Sequence, residues 1–189
     1  PGVYTGQVVL TNPLSASNTN DHVTFQSVNG DPNTTSISYS AASSGDMPTV
    51  LMNGASGFTF RNLGIVAAGG SYGTGVEFTN KASNDSFVGC RIVTSTTASS
   101  NFRCVWNSGQ ANCNYNSFID CDMEGGYYGV YWYTTSSPYS KGLTIDGCTM
   151  NPYYYGTYIY YSNEATIRNN TVTARQPGTS YYGILAYMY

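Results

Sequence analysis

Charge is what this sequence has least of: Asp, Glu, Lys and Arg make up only 9% of its 189 residues, against about a quarter in ordinary soluble proteins. Seven basic residues stand against ten acidic ones, a net charge of -3. That leaves no basic footprint for nucleic acid or for anionic lipid, and both partner classes drop out. There is a single histidine, His22, and the five cysteines show no Cys-x-x-Cys spacing. A zinc-type ligand set is therefore missing, and no metal is assigned. Apolar residues reach 41% but never run together far enough to span a membrane. No stretch holds a 3.6-residue apolar period, so helices are excluded as the main element. What is abundant is Gly (21), Tyr (19), Ser plus Thr (44) and Asn (18), the composition of a β-rich domain with many turns.

A short pattern recurs: an apolar residue, any residue, then Asn, Gly or Asp, a small or apolar residue, any residue, and an apolar one. Its copies are Phe60–Ile65, Phe87–Ile92, Phe118–Met123, Ile145–Met150 and Ile167–Val172, with starts 27, 31, 27 and 22 residues apart. The third positions, Asn62, Gly89, Asp120, Gly147 and Asn169, are residue types that tolerate a left-handed backbone, so a sharp bend belongs there. Alternation then points Phe60, Phe87, Phe118, Ile145 and Ile167 inward, followed after the bend by Leu63, Cys90, Cys121, Cys148 and Asn170. A second strand-like pattern follows each copy, beginning at Gly75, Arg103, Gly129, Gly156 and Gly183. A unit this small buries its apolar face only by stacking on a neighbour.

These stacked columns resemble the right-handed parallel β-helix of the pectate-lyase-like superfamily. The segments Pro1–Tyr4, Val23–Ser27 and Gly57–Leu63 are similar to β-helix regions of large secreted surface proteins of Bacteroidota-type bacteria. The expected fold is all-β, a solenoid of about six or seven coils truncated at both ends. It occupies 1–189 as one segment of a larger protein, with less regular early coils over 1–56 and regular ones over 57–189. Enzymes of this superfamily need clustered calcium-binding aspartates with a basic residue, or Asn-Thr-Asp, Asp-Asp, Gly-His-Gly and Arg-Ile-Lys segments. This sequence has none of them, so no catalytic residue is carried over.

Four features remain as candidate sites. Asp120, Asp122, Glu124 and Asp146 form the densest acidic group. They read either as an acid/base or calcium site or as ion pairs between neighbouring coils, Asp122 with Arg91 and Asp146 with Arg168. Cys104 and Cys113 could close a turn as a disulfide or remain free, whereas Cys90, Cys121 and Cys148 read as small apolar side chains in one ladder. His22, which precedes a strand, reads as a loop-edge residue. Tyr-Tyr-Gly recurs at 127, 154 and 181, and alternation places Tyr131, Tyr133, Tyr158, Tyr160 and Tyr187 on one exterior face. Such a strip suits stacking on sugar rings or reception of a partner protein, or it simply stabilises parallel stacking.

The reading is a non-catalytic, extracellular or cell-surface scaffold or adhesin segment, binding a surface polysaccharide or a partner protein through its tyrosine face, without membrane insertion and without a cofactor. The alternatives are a polysaccharide lyase or hydrolase of the β-helix type, which alone would call for calcium, and a filament subunit that associates end to end through unpaired strand edges.

Overall fold

A computed structural model describes residues 1–11, 22–135, 137–176 and 180–188; Tyr189, the last residue of the regular part, lies outside them. The bends, not the strands, set the architecture. Asn62, Gly89, Asp120, Gly147 and Asn169 all adopt positive φ, between 51° and 68°, where Gly, Asn and Asp are tolerated best. Each turns the chain out of one short strand and into the next. The column is also chemically alternating. A Cβ on Gly89 would fall 2.2 Å from Asn62 Oδ1, and one on Gly147 would fall 2.2 Å from Asp120 Oδ1. The polar side chain of one coil thus lies over the glycine of the next, and the two residue types require each other.

With these bends the chain winds through three sheets in turn. The first holds Gly2–Thr5, Thr35–Tyr39, Gly64–Ala67, Arg91–Val93, Asp122–Glu124, Thr149–Asn151 and Thr171–Val172. The second holds Val8–Leu10, Pro48–Asn53, Gly73–Thr79, Phe102–Ser108, Tyr128–Tyr133, Tyr155–Asn163 and Tyr182–Met188, with Ser140–Lys141 pairing beside Tyr155–Asn163. The third holds Val23–Gln26, Phe58–Arg61, Ser86–Val88, Ser117–Ile119, Thr144–Asp146 and Thr166–Arg168. Strand pairing is parallel throughout. The fold is therefore the right-handed parallel β-helix that the columns announce, its hand the usual one for parallel crossovers.

Like packs on like inside. Phe60 and Phe87 stack at 4.9 Å between centroids and Phe87 and Phe118 at 5.2 Å, with Ile145 fully buried in the next coil. After the bend, Cys90, Cys121 and Cys148 donate their thiols to the carbonyls of Phe60, Phe87 and Phe118 at 3.4, 3.3 and 3.5 Å. Asn170 continues the series with Nδ2, which donates to the Ile145 carbonyl at 2.9 Å. This explains why a polar residue follows three cysteines in an inward column: each position supplies a donor to the coil before it, and only the last is at the wetter end.

One sequence alignment is corrected. Val105 pairs with Val76 and Val130, and Arg103 pairs with Thr74 and Tyr128. Cys104, and not Arg103, therefore shares the level of Gly75, Gly129 and Gly156. The glycines are needed because the backbones meet closely at this corner: a Cβ on Gly129 would sit 2.5 Å from the Gly156 carbonyl oxygen.

Candidate functional site

Outward positions of the second sheet form columns that cross the coils. Glu77 pairs with Trp106, Trp106 with Tyr131 and Tyr131 with Tyr158. Parallel in-register pairing at about 4.8 Å per strand brings flat rings into face-to-face contact. Trp106 and Tyr131 stack at 4.3 Å with 19° between planes, and Tyr131 and Tyr158 at 4.9 Å with 4°. Beside them Tyr128, Tyr155 and Tyr182 stack at 5.3 and 5.2 Å, and Tyr133 lies on Tyr160 at 5.4 Å. Tyr187 meets Tyr160 edge-on at 5.0 Å and is 53% exposed. The guanidinium carbon of Arg103 stands 3.5 Å over the Trp106 ring and anchors the lower end of the column.

The rings between Trp106 and Tyr160 are half-buried by one another, with their outer surfaces open. That mutual burial pushes the hydroxyls of Tyr128, Tyr131 and Tyr155 up to about 12, assisted by the neighbouring phenols. Tyr160 is also pushed up to about 12, first by its hydrogen bond with Tyr161. The face is thus uncharged over the physiological range and offers apolar planes edged with hydroxyl groups.

Tyr131, Tyr133, Tyr158, Tyr160 and Tyr187 accordingly lie in adjacent columns of one face. Trp106, Tyr128, Tyr155 and Tyr182 belong there too and escape alternation counting. The chain bends at the level of Cys104 and Gly129, so Tyr128, Tyr155 and Tyr182 before that corner point outward out of phase with the residues after it, while Trp106 escapes because its register is displaced by one residue. The Tyr-Tyr-Gly repeat was the available signal.

The four carboxylates do not converge as one group; only Asp122 and Glu124 meet. Asp120 is spent on the bend over Gly147, and Asp146 Oδ2 pairs with Arg168 at 2.8 Å, which holds its carboxyl below the usual range. Arg91 does not take Asp122, although the two are in register. It makes a two-pronged pair with Glu124, Nε to Oε1 at 2.5 Å and Nη2 to Oε2 at 2.6 Å. The bidentate fit requires a carboxylate reaching across from the next outward position, and the longer glutamate does so. Asp122 instead accepts from Thr149 Oγ1 at 2.7 Å and lies against Glu124; burial, with that neighbouring carboxylate, holds its carboxyl above the usual range.

Cys104 and Cys113 are both free, which corrects the disulfide candidate. Cys104 faces the carbonyls of Ile92 and Glu124, at the corner between the first and second sheets. Cys113 lies against Lys81 and Ala82, at the next corner, where burial pushes its thiol up to about 12. His22 places Nδ1 3.2 Å from the Gly57 carbonyl and has no second histidine to join it.

A family model described as periplasmic copper-binding protein (NosD) matches residues 57–188, more than half of the chain. The chain belongs to the NosD family. No curated protein and no solved structure matches it. The NosD description names copper, whose protein ligands are Cys, Met and His. In this NosD-family chain the five thiols are buried at three different places and bonded to backbone or packed in the core. Among the described residues no three His, Cys, Asp or Glu side chains group in a way that could hold a metal ion. No copper site is assigned among these residues, and no chemistry is derived through one.

Proposed function

We propose that the chain acts as a rigid scaffold outside the cytoplasm, at or beyond the cell surface, whose second-sheet face binds an extended glycan. The non-cytoplasmic location agrees with the periplasmic description of the NosD family. The observation that carries the binding reading is the co-planar column Trp106–Tyr131–Tyr158, with interplanar angles of 19° and 4°. A β-helix needs apolar residues inside, not three flat rings in line on an outer wall, and half-exposed apolar area of this kind supports a binding surface. Flat rings with hydroxyl edges suit the faces of sugar rings, and the scaffold holds them without an entropic cost of ordering.

Affinity electrophoresis against a panel of soluble polysaccharides tests this. Wild-type protein is retarded by at least one glycan, and Tyr131→Ala with Tyr158→Ala abolishes the retardation. Equal mobility on every polysaccharide, with capture of a protein partner by the same face, would overturn the glycan reading.

A further inference from the structure

Below the aromatic columns the same outer face opens into a groove of about 480 Å³, lined among others by Gln7, Asp46, Leu51, Asn53, Glu77 and Gln110. These residues are far apart in the sequence and meet because each lies on or beside the second sheet. The groove is continuous with the platform: Leu51 pairs with Glu77, and Glu77 with Trp106. An extended polymer lying along this column passes from aromatic planes onto carboxylate and carboxamide groups, the side chains that hydrogen-bond sugar substituents best.

The groove has a definite charge. Among the described residues its two ionisable side chains, Asp46 and Glu77, are both acidic, and no Lys or Arg lines it. Asp46 accepts from Gln7 Nε2 at 3.2 Å and from the Tyr39 hydroxyl, both neutral donors. Glu77 feels Arg103, but that guanidinium is buried and stacked on Trp106. Burial holds the Glu77 carboxyl above its usual range, and the field of Arg103 offsets this only in part. An approaching polyuronate would bring more negative charge to this place; an ammonium group would find two carboxylates, with Arg103 acting on Glu77 from its place over Trp106 but forming no ion pair with it among the described residues.

Resting on the glycan-binding reading above, we infer that the glycan is an amino-sugar polymer, its rings on Trp106, Tyr131 and Tyr158 and a protonated amine in the groove at Glu77 and Asp46. The scaffold thereby discriminates against the acidic polysaccharides typical of the wider β-helix superfamily.

Calorimetric titration of the whole chain with three hexamers separates the claims: glucosamine, N-acetylglucosamine and galacturonic acid. The glucosamine hexamer is expected to bind about tenfold tighter than its N-acetylated counterpart at low salt, with galacturonic acid weakest. Rising salt narrows the gap, and Glu77→Gln with Asp46→Asn closes it while the N-acetylated hexamer binds as before. Far-UV circular dichroism melting curves confirm that these outward substitutions leave the fold intact. Equal binding of the two glucosamine hexamers to the wild type, or a preference that survives the double substitution, overturns the amino-sugar inference and leaves the aromatic reading standing. If Tyr158→Ala weakens none of the hexamers, the aromatic reading fails by itself. Absence of binding by all three overturns both.

Discussion

Two aromatic stacks climb this β-helix, one on the inner surface of the third sheet and one on the outer surface of the second. Phe60, Phe87 and Phe118 repeat at 4.9 and 5.2 Å, and Trp106, Tyr131 and Tyr158 at 4.3 and 4.9 Å. Strand spacing sets both intervals, so geometry does not distinguish them. Solvent does. The inner rings are wholly buried and their removal leaves a void, whereas the outer rings cover one another and leave a face free. Identical stacking therefore serves cohesion inside and, under the proposed function, recognition outside.

The difference is sharpest in a pair of truncations. Phe87→Ala should cost about 3–5 kcal/mol of unfolding free energy, because the coils above and below cannot collapse into the gap; urea denaturation measures it. A loss below about 1 kcal/mol would show that the inner stack is not the main source of cohesion.

Charge probes the same boundary. Asp85 is buried with Oδ1 accepting from the Phe58 amide at 3.0 Å and Oδ2 without a partner, and burial pushes its carboxyl up to about 7. The folded chain thus holds a proton that the unfolded chain releases near 3.8. Stability from this group is highest below that value and falls as pH rises toward 7. Asp85→Asn should flatten that fall relative to wild type, measured as the difference in melting temperature between pH 4 and pH 7. An unchanged difference would mean that Asp85 is ionised in the fold.

Outside, the effects are smaller. Tyr158→Ala removes ring contacts with Tyr131, Tyr155 and Tyr160 of about 0.5–1.5 kcal/mol each but leaves no enclosed void, and should lower the melting temperature less than Phe87→Ala while glycan retardation weakens. A large thermal loss without a binding defect would make the outer stack merely structural. Smallest is Glu124→Gln, which breaks the half-exposed pair with Arg91 and should cost about 0–1 kcal/mol in denaturant titration. Because Arg91 holds Glu124 below the usual carboxylate range, this contribution is present above the unfolded pKa and is lost as pH falls through the folded one.

Much of the wall could be read without coordinates. The bends at Asn62, Gly89, Asp120, Gly147 and Asn169 were legible because few residue types accept positive φ, and the Phe, Cys and Tyr columns because a coil of nearly constant length repeats its pattern. The register around Cys104 was not legible, since Cys104, Val105 and Trp106 are consecutive apolar residues and alternation fits them in either of two registers one residue apart. Nor was the partner of Arg91: Asp122 is directly opposite, and only the reach of Glu124 makes the bidentate pair. Arg175, unremarkable in the sequence, donates to the carbonyls of Asn151, Thr96 and Gly126 and ties three turns together.

By itself the sequence determined the class of fold and, along the inner Phe and Cys columns, which residues face in, because both follow from local rules: the period of a strand and the backbone tolerance of Gly, Asn and Asp. The site needed the tertiary structure. The groove joins Gln7, Asp46, Glu77 and Gln110, and its charge results from which residues do not reach it, above all an Arg103 held against Trp106. Such placements depend on side-chain reach and on the stacking of distant coils, and no local pattern encodes either.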